Sequence, residues 1–152
     1  MRSSLSYSEP LQAAWLDIYG HMNTAYYQVP FSNAIWAYQS EFGLGREYFE
    51  ATGGSLYTVE SHARYVREVR GMVDIEVETF TVECDEKRLH LAQVMTVDGV
   101  ERATFECMSL HVDSRSGKAS PMPAEVFAAF QRVCVARENW PDWVGRRIAL
   151  AR

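Results

Sequence analysis

The stretch WLDIYGHMNTAYY, residues 15–27, decides the fold of this chain, because an acid, a glycine, a histidine and an asparagine lie close together between regions of different periodicity. Residues 5–15 before it alternate as a strand does. Residues 30–42 after it carry apolar side chains at helical spacing, which predicts a helix that begins at Pro30 and is ended by the glycines that follow. The intervening NTAYYQV is predicted to form one separate opening turn, because a proline kinks a helix that runs through it.

Four more strands follow in sequence and are predicted at residues 56–67, 72–84, 88–97 and 101–112. The dipeptide Asp98-Gly99 is a strong hairpin signal between the last two. Within residues 72–84 the apolar side chains change face, which predicts a bulge or a strong twist near Thr79. After a loop at SRSGK, an amphipathic helix is predicted around Val126, Phe127, Phe130 and Val133.

This order of elements predicts an α+β fold in one domain, residues 1–152, with a five-stranded antiparallel sheet wrapped around one long central helix, plus a C-terminal helix. A single helix covers one face of such a sheet. The sheet edges and the outer face would then be free to meet a second subunit. We therefore expect a homodimer, or a homotetramer if dimers pair in turn.

The composition excludes several classes of function. The formal net charge is −5 with acids and bases interspersed, so there is no basic run for a nucleic acid or a membrane surface. MRSSLSYSEP has no signal-peptide core and no long apolar run follows, which predicts a cytoplasmic protein. The cysteines Cys84, Cys107 and Cys134 are odd in number and widely spaced, so we interpret them as packing residues. The histidines lack zinc-site spacing, and neither a metal nor a cofactor is expected.

Residues 15–27 have the layout of an acyl-transfer site. Gly20 would turn the chain, Asn23 would cap the next turn, and the amides around Thr24 would face outward to hold an oxyanion. The carboxylate of Asp17 would reach a carbonyl held there, either to attack it and form a mixed anhydride or to deprotonate a water molecule. The alternative is structural, with Asp17 and Asn23 as turn formers and Gly20 supplying a positive φ angle. A lone histidine such as His21 is commonly structural too.

The pattern D-x-x-G-H-M-N-x-x-Y at residues 17–26, followed by a long helix and four strands, resembles the hot-dog-fold acyl-CoA thioesterases of the 4-hydroxybenzoyl-CoA thioesterase type. The resemblance covers nearly the whole chain in element order. It implies that Asp17 is the catalytic carboxylate and that the amide nearest Thr24 polarises the thioester carbonyl. Gly20, His21 and Asn23 would form the turn that aims both groups. It also implies an acyl-CoA substrate, bound between two subunits, with coenzyme A held partly by the partner.

Several longer phrases are similar to one subgroup of that family, the thioesterases linked with carnitine and betaine catabolism. These phrases are GHMNTAYY, VESHARYVREVRG, DEKRLH, SLHVDSRSGKASPMP and the tail motif WVGRRI. The subgroup acts on dehydrocarnitine, betainyl-CoA or related quaternary-ammonium acyl groups. The resemblance therefore implies a small cationic acyl group.

Residues of the predicted strand 56–67 alternate between two faces. Glu60, His62 and Arg64 share one face, where they would orient water or substrate or offset a cationic acyl group; the alternative is a solvent-facing or subunit-contacting row of charges. The other face is predicted to carry Tyr57, Val59, Ala63 and Tyr65. Some basic residues either meet the phosphates of coenzyme A or are ordinary surface residues, namely Arg64, Arg67, Arg70, Lys87 and Arg88.

Aromatic residues cluster around the opening turn and the helix, and they are Trp15, Tyr19, Tyr26, Tyr27, Phe31, Trp36 and Tyr38. A trimethylammonium group is attracted to the faces of such rings. We predict that Tyr26, Tyr27 and Trp36 contact the substrate. Packing in the core is the alternative for each of them.

Two other functions would use the same ligand. A non-catalytic acyl-CoA-binding or assembly module on this fold would bind tightly without turnover, since fold does not fix function. A dehydratase acting on acyl-CoA would require a different acid/base pair, for which the sequence has no clear signal.

Overall fold

The computed structural model describes residues 4–150. The strands are β1 Ser4–Pro10, β2 Gly54–Tyr65, β3 Asp74–Cys84, β4 Arg88–Val97, β5 Val100–Asp113 and β6 Lys118–Ala119. The helices are α1 Gln28–Glu41, α2 Arg46–Thr52 and α3 Ala124–Val133, and short 3-10 turns lie at Ala13–Trp15, Thr24–Tyr26 and Arg137–Asn139. The predicted order of a strand, a long helix, four strands and a C-terminal helix is confirmed.

The strands form one antiparallel sheet in the order β1-β3-β4-β5-β2, and β6 pairs with the end of β5. The turn between β4 and β5 is made by Asp98 and Gly99 with φ angles of 53° and 71°, as the Asp-Gly dipeptide predicts. Strands β1 and β2 lie at the two ends of this order. Each therefore has one edge without a partner strand within residues 4–150.

The sheet wraps around α1, as predicted. Phe31 of α1 is fully buried, and its ring stacks on Phe105 of β5 with 4.9 Å between centroids. The side-chain amide of Gln93 on β4 donates to the Phe31 carbonyl at 3.1 Å, which fixes the first turn of α1 over the sheet. At the other end of α1, Phe42 stacks on Phe130 of α3 at 4.1 Å. The C-terminal helix thus closes the same core.

The tail that follows α3 crosses the outer face of the sheet, the face opposite α1. Trp143 is buried there against Val82 of β3 and Ala92 of β4. The Gly145 amide donates to the Glu106 side chain of β5 at 2.8 Å. Part of the face that we expected a second subunit to cover is therefore covered by the chain itself.

Two predicted boundaries next to the opening turn are corrected. Strand β1 ends at Pro10 rather than at Trp15, because proline cannot donate to the ladder and the chain then closes a 3-10 turn, with the Trp15 amide donating to the Gln12 carbonyl at 2.8 Å. Helix α1 begins at Gln28, before Pro30. Pro30 lies in the first helical turn, where a missing N–H breaks no helical hydrogen bond.

Two β-bulges change which side chains of the long strands point to each face of the sheet. The irregularity predicted in β3 is present, and it lies between Thr81 and Glu83, two residues beyond the predicted position near Thr79. A second bulge, in β2 between Thr58 and Glu60, places Tyr57 on the face that carries Glu60 rather than on the opposite face as strict alternation predicts. Helix α2 and strand β6 were not predicted from the sequence, because both are short.

Within residues 4–150, no helix combines the length and the apolarity that crossing a bilayer requires.

Candidate active site

The turn after β1 holds Asp17 through backbone groups. Asp17 Oδ1 accepts hydrogen bonds from the amides of Tyr19 and His21, at 2.8 and 3.0 Å. The Asp17 amide donates to the His21 carbonyl at 2.8 Å, and the Gly20 amide donates to the Asp17 carbonyl at 3.0 Å. Gly20 has φ 74°, which glycine adopts at little cost. One carboxylate oxygen is thereby fixed, whereas Oδ2 has no hydrogen-bond partner among residues 4–150.

The Thr24 amide differs from the amides around it. Asn23 caps the 3-10 turn as predicted: its Oδ1 accepts from the Ala25 amide at 3.0 Å, and its carbonyl accepts from the Tyr26 amide at 2.9 Å. From residue 19 to residue 26, Thr24 alone has an amide without a hydrogen-bond partner in the described part of the chain. A donor at the start of a helical turn with no protein partner is suited to hold an oxyanion.

The segment after β2 supports the turn from the side. The Met22 amide donates to the Val69 carbonyl at 2.9 Å. His21 Nδ1 lies 3.3 Å from Glu68 Oε2, and Glu68 Oε1 accepts from Arg70 Nε at 2.6 Å. The His21 side chain therefore pairs with Glu68, and its hydrogen bonds to Asp17 run through its backbone. Glu68 was not predicted as a site residue, although it lies within the phrase VESHARYVREVRG.

Backbone donors keep the Asp17 carboxylate ionised. The His21 amide is the largest cause that holds the pKa of Asp17 below its usual value of 3.8, and the Tyr19 amide acts in the same direction. The Arg70 guanidinium likewise lowers the pKa of Glu68. The carboxylates of Asp17 and Glu68, which both lie near His21, are therefore ionised at neutral pH.

The aromatic residues predicted around the turn divide into two groups. The buried ones are Trp15, Tyr27, Phe31 and Tyr38, and those with exposed rings are Tyr19, Tyr26 and Trp36. Tyr26 stacks on Trp15 with 6.3 Å between centroids, and Tyr27 meets the Tyr65 ring edge-on at 5.0 Å. Of the predicted substrate contacts, Tyr26 and Trp36 present accessible rings, whereas Tyr27 packs in the core.

The predicted polar residues of β2 lie on the outer face of the sheet. His62 is opposite Glu106 of β5, whose neighbour Phe105 points toward α1. Glu60 and Arg64 share the face of His62. The single chain does not bring these three side chains onto the Asp17 turn, so a role for them beside Asp17 stays a prediction.

Glu106 is a buried acid that sequence reasoning missed. Its Oε2 accepts from His90 Nε2 at 3.0 Å and from the Gly145 amide at 2.8 Å, and its Oε1 lies 3.4 Å from His62 Nδ1. These groups line a cavity of about 490 Å³ between the sheet and tail residues 145–148. Because they come from three strands and the tail, only the strand register reveals the cluster.

Among residues 4–150, His, Cys, Asp and Glu side chains form no group of three or more with the geometry to hold a metal ion. The turn itself carries the carboxylate of Asp17, whose pKa is lowered, and the Thr24 amide, which has no hydrogen-bond partner among residues 4–150.

Comparison with known proteins shows the family of this chain. The model of a family described as the thioesterase-like superfamily matches residues 11–130. A betainyl-CoA thioesterase of Pseudomonas aeruginosa is 33% identical, over 95% of this chain and 94% of that protein. An L-carnitine dehydrogenase/betainyl-CoA thioesterase of Rhizobium meliloti is 35% identical over 98% of this chain, which spans only 32% of that longer protein.

Among solved structures, a Staphylococcus aureus protein in complex with CoA superimposes with a TM-score of 0.88. The match covers 99% of this chain and 98% of that chain, at 22% sequence identity. At that identity the likeness shows the fold, and the predicted arrangement of a curled antiparallel sheet around a long helix is confirmed.

Proposed function

The chain belongs to the thioesterase-like superfamily and is a thioester hydrolase of the hot-dog fold, and on that premise we propose that it hydrolyses a small quaternary-ammonium acyl-CoA to the free acid and coenzyme A. Betainyl-CoA is the first candidate substrate. The choice rests on the relatives, which are named as betainyl-CoA thioesterases. The proposed location is the cytoplasm.

The observation that carries the proposal is the pairing of Asp17 with Thr24 on one turn. Asp17 is anchored through Oδ1 alone, which leaves Oδ2 free toward a substrate. The Thr24 amide is free to donate to the thioester carbonyl oxygen and to stabilise the negative charge that develops on it. Gly20, His21 and Asn23 hold the two groups in one rigid piece of backbone.

Asp17 acts in one of two ways in this proposal. As a nucleophile, Oδ2 attacks the thioester carbon, the coenzyme A thiolate leaves, and water hydrolyses the resulting mixed anhydride. As a general base, it takes a proton from the attacking water. The lowered pKa makes Asp17 a weaker proton acceptor but leaves it ionised for attack, which favours the nucleophilic route.

Isotope-labelled water in a single turnover separates the two routes. With enzyme in excess over substrate, ¹⁸O in the Asp17 carboxylate supports the anhydride. Label found only in the product acid supports direct attack by an activated water. Mass mapping of the peptide that contains Asp17 provides the measurement.

Exposed rings near the turn support a cationic acyl group. Tyr19 and Tyr26 are 74% and 37% exposed and lie on the same turn as Asp17. Their faces would attract a trimethylammonium group by about 0.5–2 kcal/mol each. Trp36 lies about 12 Å farther along α1 from Gln28, so it would contact a more distant part of the ligand. Glu60 would supply a counter-charge if an assembled site brings it close.

A homodimer is part of the proposal, and a homotetramer would follow if dimers pair. The support is the edge of β2 that has no partner strand within residues 4–150, along which Tyr57, Val59 and Tyr65 are each at least half exposed. An exposed apolar edge strand favours pairing with another chain. Sedimentation velocity over a range of protein concentrations tests this, and a monomer at every concentration would contradict it.

The test of the function is coenzyme A release, followed with a thiol reagent, over a panel of betainyl-CoA, short straight-chain acyl-CoAs and aromatic acyl-CoAs. The matched variant is Asp17→Asn, because the asparagine oxygen can still accept from the Tyr19 and His21 amides while the charge is lost. We expect betainyl-CoA to be turned over fastest and Asp17→Asn to be at least about 100-fold slower at unchanged thermal stability.

Tight acyl-CoA binding without any turnover in the wild type would instead favour the non-catalytic binding module. Equal rates for betainyl-CoA and an uncharged acyl-CoA of similar size would contradict the proposed preference for a quaternary-ammonium acyl group. They would remain consistent with thioester hydrolysis.

A further inference from the structure

Two of the three cysteines meet where β3 and α3 end. Cys84 is the last residue of β3, and Cys134 directly follows the last residue of α3. Their sulfur atoms are 3.7 Å apart, although the residues are separated by 50 positions in the sequence. The spacing of the cysteines in the sequence did not reveal this contact.

The main chain holds the two residues side by side. The Val135 amide donates to the Thr81 carbonyl of β3 at 2.9 Å, close to both cysteines. The Cys134 amide donates to the Phe130 carbonyl at 3.1 Å, which fixes the end of α3. The sulfur atoms therefore need only a small approach, from 3.7 Å to the disulfide bond length of about 2.05 Å.

We infer that Cys84 and Cys134 form a reversible disulfide when the protein meets a low-molecular-weight disulfide such as oxidised glutathione. The thiolate of one cysteine attacks the oxidant, which forms a mixed disulfide and releases one glutathione thiol. The second cysteine then attacks the protein sulfur of that mixed disulfide and releases the second glutathione. The two protein thiols lose two electrons and two protons, and one glutathione disulfide is reduced to two thiols.

Solvent reaches this pair and not the third cysteine. Cys84 and Cys134 are partly exposed, whereas Cys107 is buried. Cys84 lines two cavities, one of about 220 Å³ and one of about 560 Å³, and Arg88 lines both. The larger cavity falls in the size range of small-molecule sites. Cys107 thus serves as an internal control for accessibility.

The two thiols react slowly at neutral pH, so the disulfide forms at an appreciable rate only when the oxidant is abundant. Burial raises the pKa of the Cys84 thiol to about 12 and also raises the pKa of Cys134. Because the thiolate is the attacking form, the first step is slow at neutral pH and accelerates as pH rises. The second step is intramolecular between atoms already in contact, so it is favoured over release of the first adduct. Disulfides of cytosolic proteins are mostly transient and redox-sensing, which fits this behaviour.

The bond would join a central strand to the last helix. It fixes the point from which the tail leaves for the outer face of the sheet. Closing a loop of this length restricts the unfolded chain, so we expect the thermal midpoint to rise by about 5–10 °C on oxidation.

The test equilibrates the full-length protein in glutathione buffers of increasing oxidised-to-reduced ratio, alkylates the free thiols, and maps peptides by mass with and without reductant. We expect a Cys84–Cys134 linked peptide, the loss of two reactive thiols, an upward shift of the midpoint, and reversal of all three by dithiothreitol. Cys107→Ser is the matched control and should behave as the wild type does.

Cys84→Ser and Cys134→Ser should form no internal bond and should show no upward shift of the midpoint. A wild-type protein that stays a dithiol, or that stops at the glutathione adduct, at the most oxidising ratio overturns the inference. A linked peptide that contains Cys107 or joins two chains does so as well. The peptide map of the oxidised wild-type protein tests the inference even if a serine variant fails to fold.

Discussion

Asp17 and His21 are hydrogen-bonded to each other twice: the His21 amide donates to Asp17 Oδ1 at 3.0 Å, and the Asp17 amide donates to the His21 carbonyl at 2.8 Å. The pair closes a small ring of backbone around the carboxylate. The direction of Oδ2 is therefore set before any substrate arrives, and no reorganisation is needed at the moment of reaction.

The pH dependence of kcat/KM should reflect the hydrogen bonds that the Asp17 carboxylate accepts. Donors that favour the charged form hold the pKa of Asp17 below 3.8, so the carboxylate stays ionised until the pH falls through that lowered value. Any stability that its ionisation contributes is present above the usual pKa and is lost over the same acid range. We expect kcat/KM, measured after rapid mixing into acid, to remain flat down to about pH 4. An acidic limb near neutral pH would show that a group other than Asp17 controls the reaction.

Removing the Asn23 cap should affect both the fold and the rate. In Asn23→Ala the Ala25 amide loses its side-chain acceptor, which costs about 0.5–2 kcal/mol in the free energy of unfolding. We expect kcat/KM to fall by about 10- to 100-fold, because the Thr24 amide next to the cap is no longer held in place. Urea unfolding and steady-state kinetics provide the measurements. Asn23→Ser, which restores an acceptor, should recover most of both losses, and full activity in Asn23→Ala would separate the cap from catalysis.

The Glu106 carboxylate should be what holds the tail on the sheet. Glu106→Ala leaves the Gly145 amide and the His90 ring without their acceptor, at a cost of about 1–3 kcal/mol in the free energy of unfolding. Hydrogen exchange at the Gly145 amide should become faster, while exchange in the core of β4 stays slow. Glu106→Gln keeps an acceptor oxygen and should lose less protection. Unchanged exchange at Gly145 in the alanine variant would mean that Trp143 alone anchors the tail.

Alkaline unfolding should report on Tyr38. Its hydroxyl is hydrogen-bonded to Thr81 Oγ1 at 2.9 Å, and burial raises its pKa to about 12. Because the folded pKa is raised, this group contributes stability that is fully present below about pH 10 and is lost as the pH rises through the folded value. Two pKa units correspond to about 3 kcal/mol.

Urea unfolding at several pH values between about 10 and 12 compares the wild type with Tyr38→Phe. The variant should begin less stable, because Thr81 loses a partner, and should then lose about 2–3 kcal/mol less than the wild type over that window. Burial also raises the pKa of other tyrosines and of the cysteines, but these groups are present in both proteins, so their contributions cancel in the difference. They are Tyr7, Tyr27, Cys84, Cys107 and Cys134. Parallel curves for the two proteins would show that Tyr38 does not titrate in the folded state in the way its burial requires.

Local features of this chain were predictable from its sequence because they depend on neighbours. Asp98-Gly99 determines its own hairpin, Asn23 caps the turn that follows it, and the helical periodicity after Pro30 locates α1 to within two residues. The position of the Asp17 carboxylate belongs to the same class, since the hydrogen bonds that it accepts span at most four residues.

Features that depend on the pairing of distant strands could not be predicted. The β2 bulge at Thr58/Glu60 was not predicted, and the β3 bulge at Thr81/Glu83 was predicted only to within two residues, although a shift of one residue reverses every side chain beyond it. The contact of His90 with Glu106 requires the exact register of β4 against β5. Trp143 begins the tail motif WVGRRI, but that motif does not indicate a position on the outer face of the sheet.

The position of Trp143 limits how this chain can assemble. A sheet with an uncovered outer face can stack on another sheet. In this chain the Trp143 side chain and the tail around it cover part of the outer face. If two chains stacked through their outer faces, both tails would first have to detach from the sheet, which would expose Val82 and Ala92 to water. For the proposed homodimer we therefore expect contact between subunits at the strand edges or on the helical side of the sheet. In the proposed homodimer, the tail from Trp143 to Gly145 therefore excludes one mode of contact between subunits, the stacking of one outer face on another.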